Sequence, residues 1–215
     1  MGTHNRTDLS KNIKVVIFDC DGVLFDSRQA NINYYNHLLN HFGLPPMKES
    51  QVEYIHMHTV EESIAFLFKG TPYLEQALSY QKKMDFIPFV QDMVMEEGLK
   101  ELLGMLKPKF HLAMATNRSN TISEVIKQHG LEGFFDMVVS SLDVSRPKPH
   151  PESIEKILHH FKVSPAQAIY VGDSLIDQQT AAASGVIFIA YKNKKLKADY
   201  HASRLMDIAT ILGID

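Results

Sequence analysis

The chain has 215 residues, of which 45% are apolar and 22% charged, and its formal net charge at pH 7 is −3. This balance is ordinary for a globular protein and argues against a disordered chain, and the length suits one domain with an insertion or two small domains. Lys and Arg total 22 against 25 for Asp and Glu, with no basic block of five or more, so nothing favours nucleic acid as a partner.

Cysteine content and apolar runs indicate the compartment. Cys20 is the single cysteine, which excludes an internal disulfide and agrees with a reducing compartment. No apolar run reaches the roughly 18 residues that a membrane span needs, and residues 1–12 are polar without the apolar centre of a secretion signal. We therefore expect a cytoplasmic protein with no membrane partner and a frayed start.

The first predicted element is a strand over residues 15–18, whose four apolar residues are typical of a strand buried on both faces. It stops at Asp19, Cys20, Asp21 and Gly22. An extended backbone points the two carboxylates the same way and Cys20 towards the core. Two crowded carboxylates suggest a hard metal site or an acid/base pair, although an Asp-Gly turn with a solvated acid is an equally common use of this pattern.

Residues 27–90 are predicted to form a helical insert, because aromatic, methionine and polar residues recur there at helical spacing without a β-branched run. Ser27 is a suitable N-cap for a first helix that ends at the Gly-Leu-Pro-Pro of 43–46. Further helices are predicted over 50–57, 60–68 and 72–86. We expect this insert to fold as a separate helical cap with a core of its own.

From residue 98 onwards, strand and helix patterns alternate. Strands are predicted over 111–115, 136–140, 168–171 and 186–190, and helices over 99–106, 119–129, 152–161, 175–184 and 204–212. This alternation predicts an α/β fold, with a Rossmann-like three-layer core of residues 1–26 and 91–215 built on a mostly parallel sheet. Ligands of such sheets bind outside the carboxyl ends of the strands. We therefore expect the polar groups that follow the strands to gather at one edge.

Four short motifs occur in order along the chain. They are Asp19-Cys20-Asp21-Gly22-Val23-Leu24-Phe25-Asp26-Ser27, Thr116-Asn117, Lys148 within Arg146-Pro147-Lys148-Pro149, and Gly172-Asp173 with Asp177 four residues later. Together they resemble the motifs of the haloacid dehalogenase superfamily, in the phosphatase branch whose members resemble phosphoglycolate phosphatase and β-phosphoglucomutase. The match spans nearly the whole chain, and four ordered motifs agree by chance far less often than one.

The resemblance implies that Asp19 is the nucleophile that attacks phosphorus, since an ionised carboxylate can split hydrolysis into two displacements. Asp21 would protonate the leaving oxygen and later take a proton from water, which requires an Asp21 pKa raised towards neutrality by its neighbours. Dehalogenases and phosphonate-cleaving relatives have no acid at this position. The presence of Asp21 therefore favours phosphate esters as substrates.

The resemblance also implies a Mg²⁺ cofactor. The expected ligands are Asp19, the backbone carbonyl of Asp21 and Asp173, with Asp177 as a further ligand or as a support behind them. A cation is required because a phosphate ester adds anionic oxygens to a group of carboxylates.

Two further residues are expected to contact the substrate phosphate. Thr116 can donate its hydroxyl to a phosphoryl oxygen, and Lys148 can neutralise charge that develops in the transition state. Asn117 and Arg118 could assist phosphate binding or simply begin the next helix, so we leave both out of the predicted catalytic set.

Histidine is abundant, at 11 residues, and His56 and His58 suggest a metal-binding pair. Residues two apart on a helix do not share a face, however. The pattern therefore favours a solvated or core role for these two side chains.

The predicted function is a Mg²⁺-dependent phosphatase that hydrolyses a small phosphorylated metabolite through an aspartyl-phosphate intermediate. A sugar-phosphate mutase of the β-phosphoglucomutase type is the alternative, since it would share every core residue and differ in the cap. A non-catalytic phosphate-sensing protein is a third hypothesis, disfavoured because a binding role needs no general acid. The sequence names neither the substrate nor the oligomeric state.

Overall fold

The computed structural model describes residues 9–214, apart from the side chain of Ser10. Residues 1–8 and 215 lie outside this part, and with them most of the segment that the sequence predicts to be frayed. Leu9–Lys11 form a 3-10 turn, and Leu9 packs against the core. The prediction of a frayed segment is therefore wrong for these three residues.

One parallel sheet carries the fold. The described strands are β1 (Val15–Phe18), β2 (Phe25–Asp26), β3 (Val94–Met95), β4 (His111–Ala115), β5 (Met137–Val139), β6 (Ala168–Gly172), β7 (Ile187–Tyr191) and β8 (Tyr200–Ala202). Six of them form the sheet in the order β5-β4-β1-β6-β7-β8, with every pair parallel. Strand β1 is central, and Phe18 lies beside Met114 on one side and Val171 on the other. The acids that follow β1 therefore lie between the ends of its two neighbours.

Helices cover both faces of this sheet. The described helices are α1 (Arg28–His41), α2 (Glu49–Met57), α3 (Val60–Leu67), α4 (Leu74–Gln81), α5 (Ile87–Val90), α6 (Leu99–Leu106), α7 (Ile122–Gln128), α8 (Glu152–Phe161), α9 (Leu175–Ser184) and α10 (Met206–Ile211). Helices α6, α7 and α10 pack on the face that presents Val16 and Phe18, and α8 and α9 on the face that presents Val15 and Ile17. The predicted α/β class is confirmed. No described helix has both the length and the apolar character that crossing a bilayer would require.

Helices α1–α5 pack around a hydrophobic cluster of their own, in which Tyr34, Leu38, Ile64 and Phe68 are buried. The segments that connect these helices to the sheet are β2 and β3, which pair with each other in antiparallel fashion. Chain entry into the helical region and chain exit from it therefore lie side by side. That residues 27–90 act as a cap over the site stays a prediction.

One predicted helix is wrong, and three short strands were not predicted. The helix predicted over 72–86 stops at Gln81, and the short helix α5 follows it with Pro88 in its first turn, where a missing N–H costs nothing. Strand β8 was not predicted, because three residues at a sheet edge, two of them exposed, are too few to show alternation. The two-residue strands β2 and β3 were missed for the same reason.

Candidate active site

The carboxyl ends of β1, β4 and β6 place the predicted site residues around one cavity. Asp19, Asp21, Thr116, Lys148 and Asp173 all line it. Asp177 lies directly behind them, fully buried. The structure thus brings all six residues together at the edge of the sheet where the parallel strands end, which is where ligands of such sheets bind.

A buried ammonium group lies at the centre of the site. Lys148 Nζ lies 2.9 Å from Asp19 Oδ1 and 2.7 Å from Asp177 Oδ1, and it donates a hydrogen bond to the Tyr170 hydroxyl at 2.9 Å. Burial alone would lower the pKa of Lys148, but the two carboxylates outweigh burial and raise it. The lysine therefore stays charged, although only 3% of its side chain is exposed.

Asn117 fixes the backbone of this lysine. Its Oδ1 accepts the Lys148 backbone N–H at 3.0 Å, and its Nδ2 donates to the Lys148 carbonyl at 3.0 Å and to the Met57 carbonyl at 3.3 Å. The sequence left Asn117 between phosphate binding and a helix start. The structure gives it another role, that of tying the lysine loop to the end of β4 and to helix α2.

Asp177 is surrounded by donors. It occupies the third position of α9, where it forms a capping box with Ser174. Its Oδ2 accepts a hydrogen bond from the Ser174 hydroxyl at 2.6 Å. The same oxygen accepts from the backbone N–H groups of Ser174 and Asp173. Its Oδ1 accepts from Lys148 and from the Tyr170 hydroxyl at 2.6 Å. Burial alone would raise the pKa of Asp177, but these partners lower it. Few lone pairs are left for a metal, so the geometry favours support of the site over direct coordination.

The acids at the cavity floor fit a hard divalent cation. Asp19, Asp173 and Asp177 each present one carboxylate oxygen within 4.8 Å of the others. Gly22 has φ +79°, and a Cβ there would lie 2.1 Å from Asp173 Oδ2, so only glycine allows the turn to approach this carboxylate. Burial and the neighbouring carboxylates raise the pKa of both Asp19 and Asp173. Crowded carboxylates of this kind are stabilised by a cation with oxygen ligands.

Thr116 is held in position by its own backbone. Its N–H donates to the Val139 carbonyl at 3.0 Å, and its Oγ1 accepts the Arg118 N–H at 3.0 Å. Among residues 9–214, the Thr116 hydroxyl donates its hydrogen to no protein acceptor. That hydrogen is thus available to a ligand.

Asp21 pairs with an arginine that the sequence analysis left out. Arg118 Nε donates to Asp21 Oδ2 at 3.1 Å and Arg118 Nη2 to Asp21 Oδ1 at 2.5 Å, with 12% and 14% of the two side chains exposed. Burial alone would raise the pKa of Asp21, but the guanidinium outweighs burial and the pKa is lowered. The expectation that its neighbours raise this pKa towards neutrality is wrong for this arrangement. A cation two residues after a strand-end threonine is the signal that could have identified Arg118.

Helices α1, α2 and α5 form the opposite wall of the cavity. This wall is aromatic and apolar, apart from Asn31 and the two histidines: it includes Asn31, Tyr34, Tyr35, Ile55, His56, Met57, His58, Phe86 and Phe89. His56 Nδ1 lies 3.2 Å from Asn31 Nδ2, whereas the His58 ring stacks on Tyr54. Both side chains are half-buried and line the cavity. Their predicted solvated or core role, without a shared metal, stays a prediction.

Comparisons with known proteins identify the family and two of its similar proteins. A family model described as haloacid dehalogenase-like hydrolase matches residues 16–191. Pyrophosphatase PpaX from Bacillus velezensis is 26% identical over 95% of this chain and 98% of that protein. Pyrophosphatase PpaX from Bacillus pumilus is 28% identical over 94% of this chain and 98% of that protein.

Solved structures show the same architecture. A haloacid dehalogenase superfamily hydrolase of subfamily IA, variant 1, from Geobacter sulfurreducens PCA has a TM-score of 0.78 and 38% identity, covering 94% of this chain and 97% of that one. A protein described as a predicted phosphoglycolate phosphatase from Haemophilus somnus 129PT has a TM-score of 0.81 and 21% identity, covering 93% and 98%. At that identity, the second likeness concerns the fold alone.

The acidic floor predicts that Asp173→Asn removes most of the stabilisation that Mg²⁺ gives the wild-type protein. A ligand that binds only the folded state adds about 2.7 kcal/mol at 100 times its Kd. Thermal unfolding followed over a series of MgCl₂ concentrations measures this shift. Asp207→Asn is the matched control, because Asp207 pairs with Arg204 away from the cavity. An equal Mg²⁺ shift in Asp173→Asn and in the wild type would contradict a metal site at Asp173.

The lysine network predicts that Tyr170→Phe lowers the free energy of unfolding by about 1–3 kcal/mol, because it removes a donor to Asp177 and an acceptor for Lys148 in a fully buried place. Urea unfolding measures the change. Tyr191→Phe is the matched control, since Tyr191 donates to Glu96, which keeps its ion pair with Lys192. A loss no larger for Tyr170→Phe than for the control would show that the Tyr170 hydroxyl does not support the network.

Proposed function

The chain belongs to the haloacid dehalogenase-like hydrolase family and is a phosphoric ester hydrolase, and from that premise we propose that it is a Mg²⁺-dependent phosphatase that hydrolyses a small phosphorylated metabolite through an aspartyl-phosphate on Asp19. One observation gives the proposal its main support. The Asp19 carboxylate lies at the cavity floor, 2.9 Å from the buried ammonium of Lys148 and within 4.8 Å of two further carboxylates. Relatives named pyrophosphatase support the substrate class.

Asp19 is assigned the attack on phosphorus. Its Oδ1 accepts the Cys20 backbone N–H at 2.7 Å and lies beside Lys148 Nζ at 2.9 Å. Both contacts use the same oxygen, so Oδ2 is the oxygen that remains for nucleophilic attack. The contacts on Oδ1 also restrict the rotation of the carboxylate.

The substrate phosphate would contact Thr116 and Lys148. The Thr116 hydroxyl hydrogen can donate to a phosphoryl oxygen, while the Arg118 N–H that binds Thr116 Oγ1 keeps the hydroxyl in place. Lys148 stays protonated and almost fully buried, so its charge acts through a medium of low polarity on the oxygens that gain charge in the transition state.

Asp19, Asp173 and the backbone carbonyl of Asp21 would hold the metal ion. When bound, Mg²⁺ would offset the repulsion between phosphoryl oxygens and these carboxylates. Asp177 would support the site indirectly, since its oxygens are already engaged by Lys148, Tyr170 and the first turn of α9.

Asp21 is assigned proton transfer. It would protonate the leaving oxygen in the first displacement and accept a proton from water in the second. Its position supports this assignment, because it lies two residues after the nucleophile and lines the same cavity. A proton donor beside the leaving oxygen is required for alkyl esters, whose alkoxides are strongly basic.

Residues 27–90 are proposed to act as a cap that closes over the substrate. Helices α1–α5 have their own core, are joined to the sheet through the paired strands β2 and β3, and form one wall of the cavity. The cavity volume is about 70 Å³, and movement of the cap would enlarge it when a substrate enters. Closure would then exclude water during the first displacement. We also propose a cytoplasmic location, supported by the single unpaired Cys20.

The nucleophile assignment predicts that Asp19→Ala lowers phosphate release by about 10⁴-fold or more, because it removes the attacking oxygen and a metal ligand together. The fold should survive, since Lys148 keeps Asp177 and Tyr170 as partners. Phosphate release in the presence of Mg²⁺ and near-ultraviolet circular dichroism measure the two effects, with Asp207→Ala as the control. Substantial Mg²⁺-dependent turnover by a folded Asp19→Ala protein would exclude the phosphoaspartate mechanism.

The proton-transfer assignment predicts that Asp21→Asn separates two kinds of ester. A nitrophenyl phosphate leaves as a stabilised phenolate and needs little protonation, whereas an alkyl phosphate needs the missing proton. In rapid-mixing experiments the variant should release a burst of nitrophenol and then stall as a phosphoenzyme, with no burst from the alkyl ester. An equal proportional loss of burst rate for both esters would mean that Asp21 is not the general acid.

A further inference from the structure

Both oxygens of Asp21 are occupied by Arg118. The guanidinium uses Nε for one oxygen and Nη2 for the other, in the two-point geometry that makes Arg–carboxylate pairs strong. The pair is shielded, with little more than a tenth of either side chain exposed. In this arrangement Asp21 is not free to contact a leaving group.

Arg118 retains donors for a further anion. Of the five N–H groups of a guanidinium, two bind Asp21 and one, on Nη1, donates to Thr121 Oγ1 at 3.2 Å. Within residues 9–214, the other two N–H groups bind no protein acceptor, and Arg118 lines the cavity. The hydrogen bond from its backbone N–H to Thr116 Oγ1 anchors it beside the proposed phosphate position.

The cavity wall offers few other cations. Among the described lining residues, only Lys148 and Arg118 are lysine or arginine, and Lys148 is engaged by Asp19 and Asp177. The wall built by α1, α2 and α5 is aromatic and apolar, with Asn31, His56 and His58 as its nitrogen-bearing side chains. An anionic group on the leaving part of a substrate would therefore find its strongest partner in Arg118.

We propose that Arg118 is a specificity-determining residue, which binds a second anionic group on the leaving part of the substrate and thereby releases Asp21 to contact the leaving oxygen. The proposal rests on the proposed function, because it uses Asp21 as the proton donor. The ligand chemistry is a second anion close to the scissile ester, either a carboxylate or a second phosphoryl group.

The selectivity follows from an exchange of partners. An incoming anion can replace the Asp21 carboxylate on the guanidinium charge for charge, so no buried cation is left without a partner. An uncharged leaving group cannot make this exchange, and Asp21 then stays bound to Arg118. The same residue thus attracts one class of substrate and withholds the acid from the other.

The kinetic test compares an acid with its amide. Carboxymethyl phosphate and carbamoylmethyl phosphate differ in one charge, and phosphonomethyl phosphate carries the second anion as a phosphonate. The wild type with Mg²⁺ should have a kcat/KM at least about tenfold higher for the better of the two anionic esters than for the amide. The anionic ester with the higher kcat/KM identifies the source of the second anion.

In Arg118→Met, kcat/KM should rise for the amide, because Asp21 is then free to contact the leaving oxygen. It should fall for the anionic ester, because the second anion has lost the guanidinium that binds it. A merely structural role would lower both values by the same factor, and that result would overturn the proposal. Arg118→Lys keeps the charge but not the two-point geometry and should lie between the wild type and Arg118→Met. Arg118→Lys replaces Arg118→Met in this comparison if Arg118→Met does not fold. Arg204→Met, at a surface ion pair, is the matched control and should keep the wild-type ratio.

Binding distinguishes failure of this proposal from failure of the proposed function. Calorimetry with phosphonoacetate and phosphonoacetamide, in the presence of Mg²⁺, requires no turnover. If the wild type hydrolyses none of the esters, the proposed function fails, yet an acid-over-amide preference that disappears in Arg118→Met still supports anion recognition by Arg118. Equal affinity of the wild type for the two phosphonates would overturn it.

Discussion

The buried ammonium of Lys148 is the interaction on which the rest of the site depends. A charge taken out of water is tolerated only when partners surround it, and here the partners come from separate elements. Asp19 follows β1, Asp177 lies in α9, Tyr170 lies in β6, and Asn117 at the end of β4 holds the lysine backbone. The requirements of one cation thus fix the relative positions of the nucleophile, the helix α9 and three neighbouring strands.

The same site carries more negative charge than this lysine offsets. Asp19, Asp173 and Asp177 converge within 4.8 Å, and a reacting phosphate ester would add further anionic oxygens. Burial makes this excess more costly, as the raised pKa of Asp19 and Asp173 records. The positive φ of Gly22 and its close approach to Asp173 keep the acids together. A cation bound among these acids would offset their mutual repulsion.

The ionic groups and the apolar wall of the cavity come from different parts of the chain. Residues at the sheet edge supply its aspartates, lysine and arginine, whereas helices α1–α5 supply an aromatic and apolar wall. A wall of this kind excludes water and limits size, but it cannot distinguish an anion from a neutral group by charge. In our proposal that distinction falls to Arg118, which follows the same strand as Thr116. Recognition and proton transfer are thereby joined through one ion pair.

The α/β class and the meeting of Asp19, Thr116 and Asp173 at one sheet edge follow from the sequence alone, because apolar runs indicate buried strands and parallel strands end on the same side. Lys148 and Asp177 joined the predicted site through the family resemblance. Which of these groups bind each other depends on the tertiary structure. Arg118 and Asp21 are 97 positions apart, and no local pattern reveals that one occupies both oxygens of the other. Of the five donors around Asp177, those of Tyr170, Asp173 and Ser174 are local, whereas the Lys148 ammonium comes from a position 29 residues away. Periodicity reports which face of an element is buried, whereas the partner of a buried charge is set by contacts between distant segments.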